Sequence, residues 1–142
     1  MIIVDRSAIV PHSAETLYAM VADIEAYPEF LPWCTGTEII ERSGERVVAT
    51  LHVSFGGIRQ RFTTENRNLP GRAIVMALVS GPFLHLSGTW RFEALGENAA
   101  KVSLHLEYQL ASRLLERVAG PVFGHIANTF VDAFVKRAED VR

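Results

Sequence analysis

The residue types that most often carry chemistry are sparse in this chain: five histidines, one cysteine and scattered carboxylates. His12, His52, His85, His105 and His125 show neither HExxH nor any other metal-ligand spacing, so the sequence predicts no metal site. His52, His85 and His105 fall on the polar registers of alternating segments and are expected to face solvent. Cys34 follows Trp33 in a proline-rich stretch, and no recognisable motif sets a histidine or acid beside it. It reads as a small buried or half-buried side chain rather than a nucleophile. Gly56-Gly57 lies between strands rather than at a helix start, so no phosphate loop is expected. General acid–base work needs a positioned proton carrier with a tuned pKa. The inward registers lack one, so no catalytic residue, no enzyme activity and no required cofactor is predicted.

Those registers are apolar instead. The candidate ligand-lining set is Phe30, Trp33, Leu51, Val53, Phe62, Leu86, Trp90, Leu104, Leu106, Tyr108, Val122, Ile126, Phe130 and Phe134. Tyr108, with Gln60 or Thr64, supplies polar points suited to orienting a headgroup, the arrangement usual in pockets for apolar ligands. The same stripe also reads as plain core filled by its own side chains. Phe30-Leu31-Pro32-Trp33 reads either as a lid or membrane-touching rim, or as a plug closing one end of a sheet. Arg59, Arg61 and Arg67 share one strand face that Glu65 interrupts, with Arg72 in the following turn; Arg113 and Arg117 form a second pair. These arginines read as a solvated polar face or as a local anion-binding patch, since a patch can act on a chain of net charge −2.

The elements that position these residues follow from periodicity. Ile2 to Val10 is a first strand closed by Pro11. Ser13 is an N-cap, and Leu17, Met20, Val21 and Ile24 form one helical face that Tyr27-Pro28 should end. Glu29 to Cys34 is too rich in proline for a strand. Strands then follow one another: Thr37 to Arg42, Val47 to Phe55, Ile58 to Asn68, Ala73 to Val79, Leu84 to Phe92 and Val102 to Leu110. They are separated by Ser43-Gly44, Gly56-Gly57, Pro70-Gly71, Gly81-Pro82 and Gly96-Glu97-Asn98. In the fifth of these, Leu84, Leu86, Gly88, Trp90 and Phe92 should share the inward face. After Ser112 the period turns helical to the end, with Leu115, Val118, Ala119, Val122, Phe123, Ile126, Phe130 and Phe134 on one stripe. Gly120-Pro121 should kink or restart that helix.

Strands joined by hairpins with no helix between them imply an antiparallel sheet and an α+β class. At 142 residues the chain fits one domain, 1–142. One cysteine rules out an internal disulfide and suits a reducing compartment. Asp5 and Arg6 cut short any signal-peptide core, and no stretch approaches about 18 uncharged apolar residues. A cytoplasmic protein is expected, with any membrane contact peripheral and no DNA partner.

Several stretches resemble the START-like superfamily, the polyketide cyclase/dehydrase and lipid-transport group. Within it the chain resembles the family of coenzyme Q-binding proteins and ribosome-association toxins (RatA). The residues that carry this are Ser7-Ala8-Ile9-Val10-Pro11, Ser13-Ala14-Glu15, Tyr27 to Cys34, Phe62-Thr63-Thr64-Glu65-Asn66, Gly81-Pro82-Phe83, Trp90-Arg91-Phe92 and Phe130-Val131-Asp132-Ala133-Phe134. Together they span nearly the whole chain in order. The resemblance implies a helix-grip fold: a curved antiparallel sheet of about seven strands around a long C-terminal helix, with two short helices after the first strand. It also implies an apolar tunnel holding ubiquinone, as a carrier supporting respiratory electron transport. Ubiquinone carriage is the function expected first; the alternative is a ribosome toxin that binds the large subunit and blocks its joining, with Arg59, Arg61, Arg67 and Arg72 as its contact patch, and a third, weaker reading is a cyclase/dehydrase-type enzyme. The shared segments do not separate the first two outcomes. The quinone reading requires a long continuous tunnel.

Overall fold

The computed structural model describes residues 1–140; the last two residues of the expected 1–142 domain lie outside it. Seven strands form one antiparallel sheet: β1 (Ile2–Val10), β2 (Cys34–Ser43), β3 (Arg46–Phe55), β4 (Ile58–Leu69), β5 (Ala73–Ser80), β6 (Phe83–Gly96) and β7 (Ala99–Leu110). Their order across the sheet is β1-β7-β6-β5-β4-β3-β2, so every neighbour except β1–β7 is a sequential hairpin. Helix α1 (Ala14–Ala22) and a 3₁₀ turn (Ile24–Glu29) lie between β1 and β2, and helix α2 (Arg113–Asp140) ends the described chain. Helix α2 packs against β1, β7 and β4, and α1 packs against β6 and β7. This is the helix-grip arrangement.

Local chemistry explains the turns and caps. Gly56 and Gly57 have φ of 58° and 83°, and Phe55 pairs with Ile58, which is a two-residue hairpin with both central residues left-handed. Gly81, at φ 146°, brings the β5–β6 turn so close to β4 that a Cβ there would lie 2.6 Å from Phe62 Cβ. The Ser13 hydroxyl accepts from Thr16 N at 3.1 Å, and that of Ser112 accepts from Leu115 N at 3.1 Å; each caps its helix as the sequence predicts.

Three local expectations need correction. Helix α1 ends at Ala22, and the chain continues through Pro28 as a 3₁₀ turn; Ile24 and Tyr27 are buried from that turn. Proline fits there because a short 3₁₀ segment asks less of its missing N–H than an α-helix interior would. Helix α2 runs unbroken across Gly120-Pro121. Its buried face, Ala119, Val122, Phe123, Ile126, Ala127, Val131, Phe134 and Ala138, holds it against the sheet, while Pro121 and Val118 are exposed. This helix is long and apolar enough to cross a membrane by length and composition, but that face is already occupied by the sheet. Finally, Leu84 points outward and Phe83 inward, because a bulge between Phe83 and His85 shifts the register at the start of β6.

Candidate ligand cavity

Between the concave face of the sheet and α2 lies a cavity of about 80 Å³. Alternation on the strands aims its wall: Ala49 and Leu51 from β3, Phe62, Thr64 and Asn66 from β4, Met76 from β5. Phe83, Leu86 and Trp90 come from β6, and Leu106 and Tyr108 from β7. Helix α2 adds Phe123, Ile126, Ala127 and Phe130, at helical spacing, and Ile24, Tyr27 and Trp33 close the side below the 3₁₀ turn. Gly88 also faces inward, where its missing side chain leaves room for Met76 and Leu106, whose methyls would lie 2.8 and 3.0 Å from a Cβ.

Of the residues expected to meet a ligand, Trp33, Leu51, Phe62, Leu86, Trp90, Leu106, Tyr108, Ile126 and Phe130 line this space. Phe30, Val53, Leu104, Val122 and Phe134 do not. Leu104, Val122 and Phe134 are buried in the core, and Val53, also buried, borders the groove beside Arg59 and Arg61. Phe30 is half-buried, edge-on to Phe134 at 5.2 Å and to Tyr27 at 6.2 Å, under the Arg137 guanidinium at 4.9 Å. Phe30, Trp33 and Leu31 thus form a plug rather than a rim: Leu31 and Trp33 are 1% and 3% exposed.

The aromatic cluster explains why the space is short. Phe130 packs against Trp33, Trp90 and Phe134 at 5.6, 5.5 and 5.2 Å, and Trp90 packs edge-on to Phe134 at 5.4 Å. Each such pair adds about 0.5–1.5 kcal/mol beyond its area burial. The cluster packs against one side of the cavity, whose 80 Å³ is smaller than the long continuous tunnel expected for a polyprenyl chain. A water needs roughly 10–15 Å³ of such space, so the cavity holds on the order of six waters, about the bulk of one substituted six-membered ring.

The wall carries a few polar points and no carboxylate, imidazole, ammonium or guanidinium. Thr64 and Asn66 are 8% and 7% exposed, and the threonine hydroxyl donates to Asn66 Oδ1 at 2.9 Å. That leaves the amide N–H groups of Asn66 as donors on the same strand face. Tyr108 is 2% exposed, and its hydroxyl makes no hydrogen bond among the described residues. Burial pushes its pKa up, so at neutral pH it is a neutral phenol. Tyr27, by contrast, donates to the Val21 carbonyl, and burial, with the neighbouring Cys34 and Asp23, raises its pKa far above the ordinary range. Thr64 was among the polar points expected from sequence. Gln60 lies away from the cavity, and Asn66 was missed although it follows Phe62 and Thr64 on the same alternating face.

Cys34 is buried with its Sγ 3.6 Å from the Gly36 carbonyl. Burial raises its pKa against a smaller opposing effect of the Gly36 backbone, so it is held as a thiol. Among the described residues no group of three or more His, Cys, Asp or Glu side chains could hold a metal. The strand histidines have local partners: His52 with Glu38 at 3.0 Å, His85 with Ser87 at 3.2 Å, and His105 with Asp5 at 2.6 Å. His105 is exposed, whereas His52 and His85 are half-buried on the outer side of the sheet.

On the outer face, Arg59 and Arg61 stand beside an open groove of about 540 Å³ shared with Thr35, His52, Val53, Ser54 and Gln60. Arg67 and Arg72 are exposed but outside it; Arg67 sits across from Arg46, which is itself paired with Glu41 and Glu65.

Comparison with known proteins agrees with this architecture. Residues 10–135 match the family described as polyketide cyclase / dehydrase and lipid transport. The "Ribosome association toxin RatA" of Pseudomonas aeruginosa is 45% identical over 97% of this chain and 96% of its own length. The Xenopus laevis "Coenzyme Q-binding protein COQ10 homolog B, mitochondrial" is 26% identical over 94% of this chain and 56% of its own. The crystal structure of the Zhui aromatase/cyclase from Streptomyces sp. R1128 superposes with a TM-score of 0.81 over 97% of this chain and 93% of that one, at 22% identity, a likeness of fold alone. A cavity gripped by a curved sheet and a long helix, and a family match over most of the chain, lead to one conclusion: the protein belongs to the polyketide cyclase / dehydrase and lipid transport family of START-like proteins.

Proposed function

We propose that this protein is a ribosome-association factor of the RatA kind, acting by binding the large ribosomal subunit and hindering subunit joining rather than by catalysis. One observation carries the reading: 45% identity to a ribosome association toxin across almost the full length of both chains. The coenzyme Q-binding relative is more distant and matches over 56% of its own length. The small cavity is also consistent with this order, since its 80 Å³ matches a ring rather than a whole polyprenyl quinone. The test is co-sedimentation of the purified chain with isolated large subunits, alongside light scattering of subunit joining. Co-sedimentation with slowed joining is the expected result. A chain that stays in the supernatant at 50 mM salt sinks the reading.

A second reading concerns the cavity itself. It is suited to a neutral ring carrying an oxygen acceptor, since Tyr108 and Asn66 offer donors and no charged group faces the space. A quinone headgroup, ubiquinone included, has that chemistry. Purification under native conditions from a quinone-producing host, followed by organic extraction and mass spectrometry, tests it. A quinone near one per chain, lost in an Ile126→Asp variant that still folds, is the expected result; an empty protein counts against it.

A further inference from the structure

The outer face of the sheet holds a charge pattern that the cavity does not use. Arg42 pairs with Glu25, Arg46 with Glu41 and Glu65, and Arg137 with Glu29, and Arg6 bonds to Asn128. Arg59 and Arg61 form no ion pair among the described residues. Both are exposed at the start of β4, two residues apart on one face, which sets them ~6.8 Å apart along the strand. Across the ladder they meet Ser54 and His52 of β3, and Thr35 completes the groove. The ladder from Phe55–Ile58 inward is unbroken and closed by a tight turn, so the two guanidinium groups stand on a fixed backbone.

We propose that this Arg59–Arg61 groove is the RNA contact of the protein, gripping successive phosphates of a ribosomal RNA backbone. The inference rests on the ribosome-association reading and supplies the surface that reading lacks. The chemistry of the groove selects the partner. Protein interfaces centre on aromatic or aliphatic anchors in desolvated pockets. Here the lining is two arginines, two hydroxyls, an imidazole and the Gln60 amide, with Val53 as the one apolar member, and no aromatic anchor; the polar members are groups that contact phosphate and sugar oxygens. Arginine forks match phosphate bidentately, and a ribose 2′-hydroxyl can bond the Thr35 and Ser54 hydroxyls. Glu38 bonds the groove's His52 at 3.0 Å, while Arg59 and Arg61 keep their charge beside it, and a local patch of this kind can act on a chain of net charge −2.

The experiment compares wild type with Arg59→Gln/Arg61→Gln in co-sedimentation with purified large ribosomal subunits from 50 to 200 mM KCl. Losing two phosphate contacts should flatten the slope of log affinity against log salt by about 1.4–1.8 and weaken binding at 50 mM salt by tenfold or more. Arg91→Gln/Lys101→Gln removes the same charge from the outer face of β6 and β7, away from the groove, and should bind as wild type does. All three proteins should share one urea midpoint, because Arg59 and Arg61 have no partners to lose. If wild type binds and the Arg59/Arg61 variant keeps both affinity and slope, the groove assignment is wrong while ribosome association stands. If wild type fails to bind, both fall. If the variant holds its ribosome binding but loses retention on phosphatidylglycerol vesicles, the groove serves a membrane and the RNA assignment is overturned.

Discussion

Tyr27 and Tyr108 are both buried phenols, yet one hydroxyl has a protein partner and the other faces empty space. Tyr27→Phe leaves the Val21 carbonyl without its donor, which should cost about 1–3 kcal/mol. Tyr108→Phe removes a group that bonds nothing in the protein, so urea unfolding should move by no more than ~0.5 kcal/mol. A Tyr108→Phe cost equal to that of Tyr27→Phe would mean the hydroxyl is already satisfied and is no ligand contact. His105 offers a pH test. Its bond to Asp5 holds the imidazole pKa above the ordinary 6.5, with Glu107 adding to the effect. The folded state therefore favours the protonated ring. Its stabilising share is full below the unfolded pKa and is lost as pH rises through the raised folded one. An NMR titration should find the His105 midpoint above 6.5 in wild type and lower in Asp5→Asn; equal midpoints would remove the pairing.

At the scale of elements, Pro121 makes the sharpest prediction. It sits exposed within an unbroken helix and cannot donate to the Arg117 carbonyl, so Pro121→Ala should stabilise the protein by about 1–3 kcal/mol in urea unfolding. A loss of stability would mean the packing of α2 depends on the proline ring. The restart allowed for there does not occur, because tertiary burial on both sides of Pro121, from Ala119 to Phe123, outweighs one missing hydrogen bond. The strands were readable because a period of two is written directly in β3, β4 and β7. Leu84 was misread because a one-residue bulge reverses facing without leaving a compositional mark. The cavity was legible only in part. Periodicity tells that Leu104, Val122 and Phe134 face inward, as they do, but it does not tell which inward space stays empty. That depends on how Phe130, Trp90 and Phe134 fill the grip together, a sum over side chains distant in sequence.

For the molecule as a whole, β4 is the shared boundary. Phe62, Thr64 and Asn66 turn towards the cavity, and Arg59 and Arg61 towards the outer groove. Two surfaces with different chemistry thus occupy opposite sides of one strand, and substitutions on one should leave the other intact. The aromatic cluster gives this separation an optical consequence. The chain has two tryptophans, and Trp33 and Trp90 both line the cavity, each packed on Phe130. All indole emission therefore originates at one place, in apolar surroundings, and should be blue-shifted in the native protein. A quinone ring entering there would quench the whole signal rather than a fraction, whereas RNA seated on the outer groove would leave the emission colour and intensity unchanged. The protein carries its own fluorophores at one of its two candidate sites and none at the other.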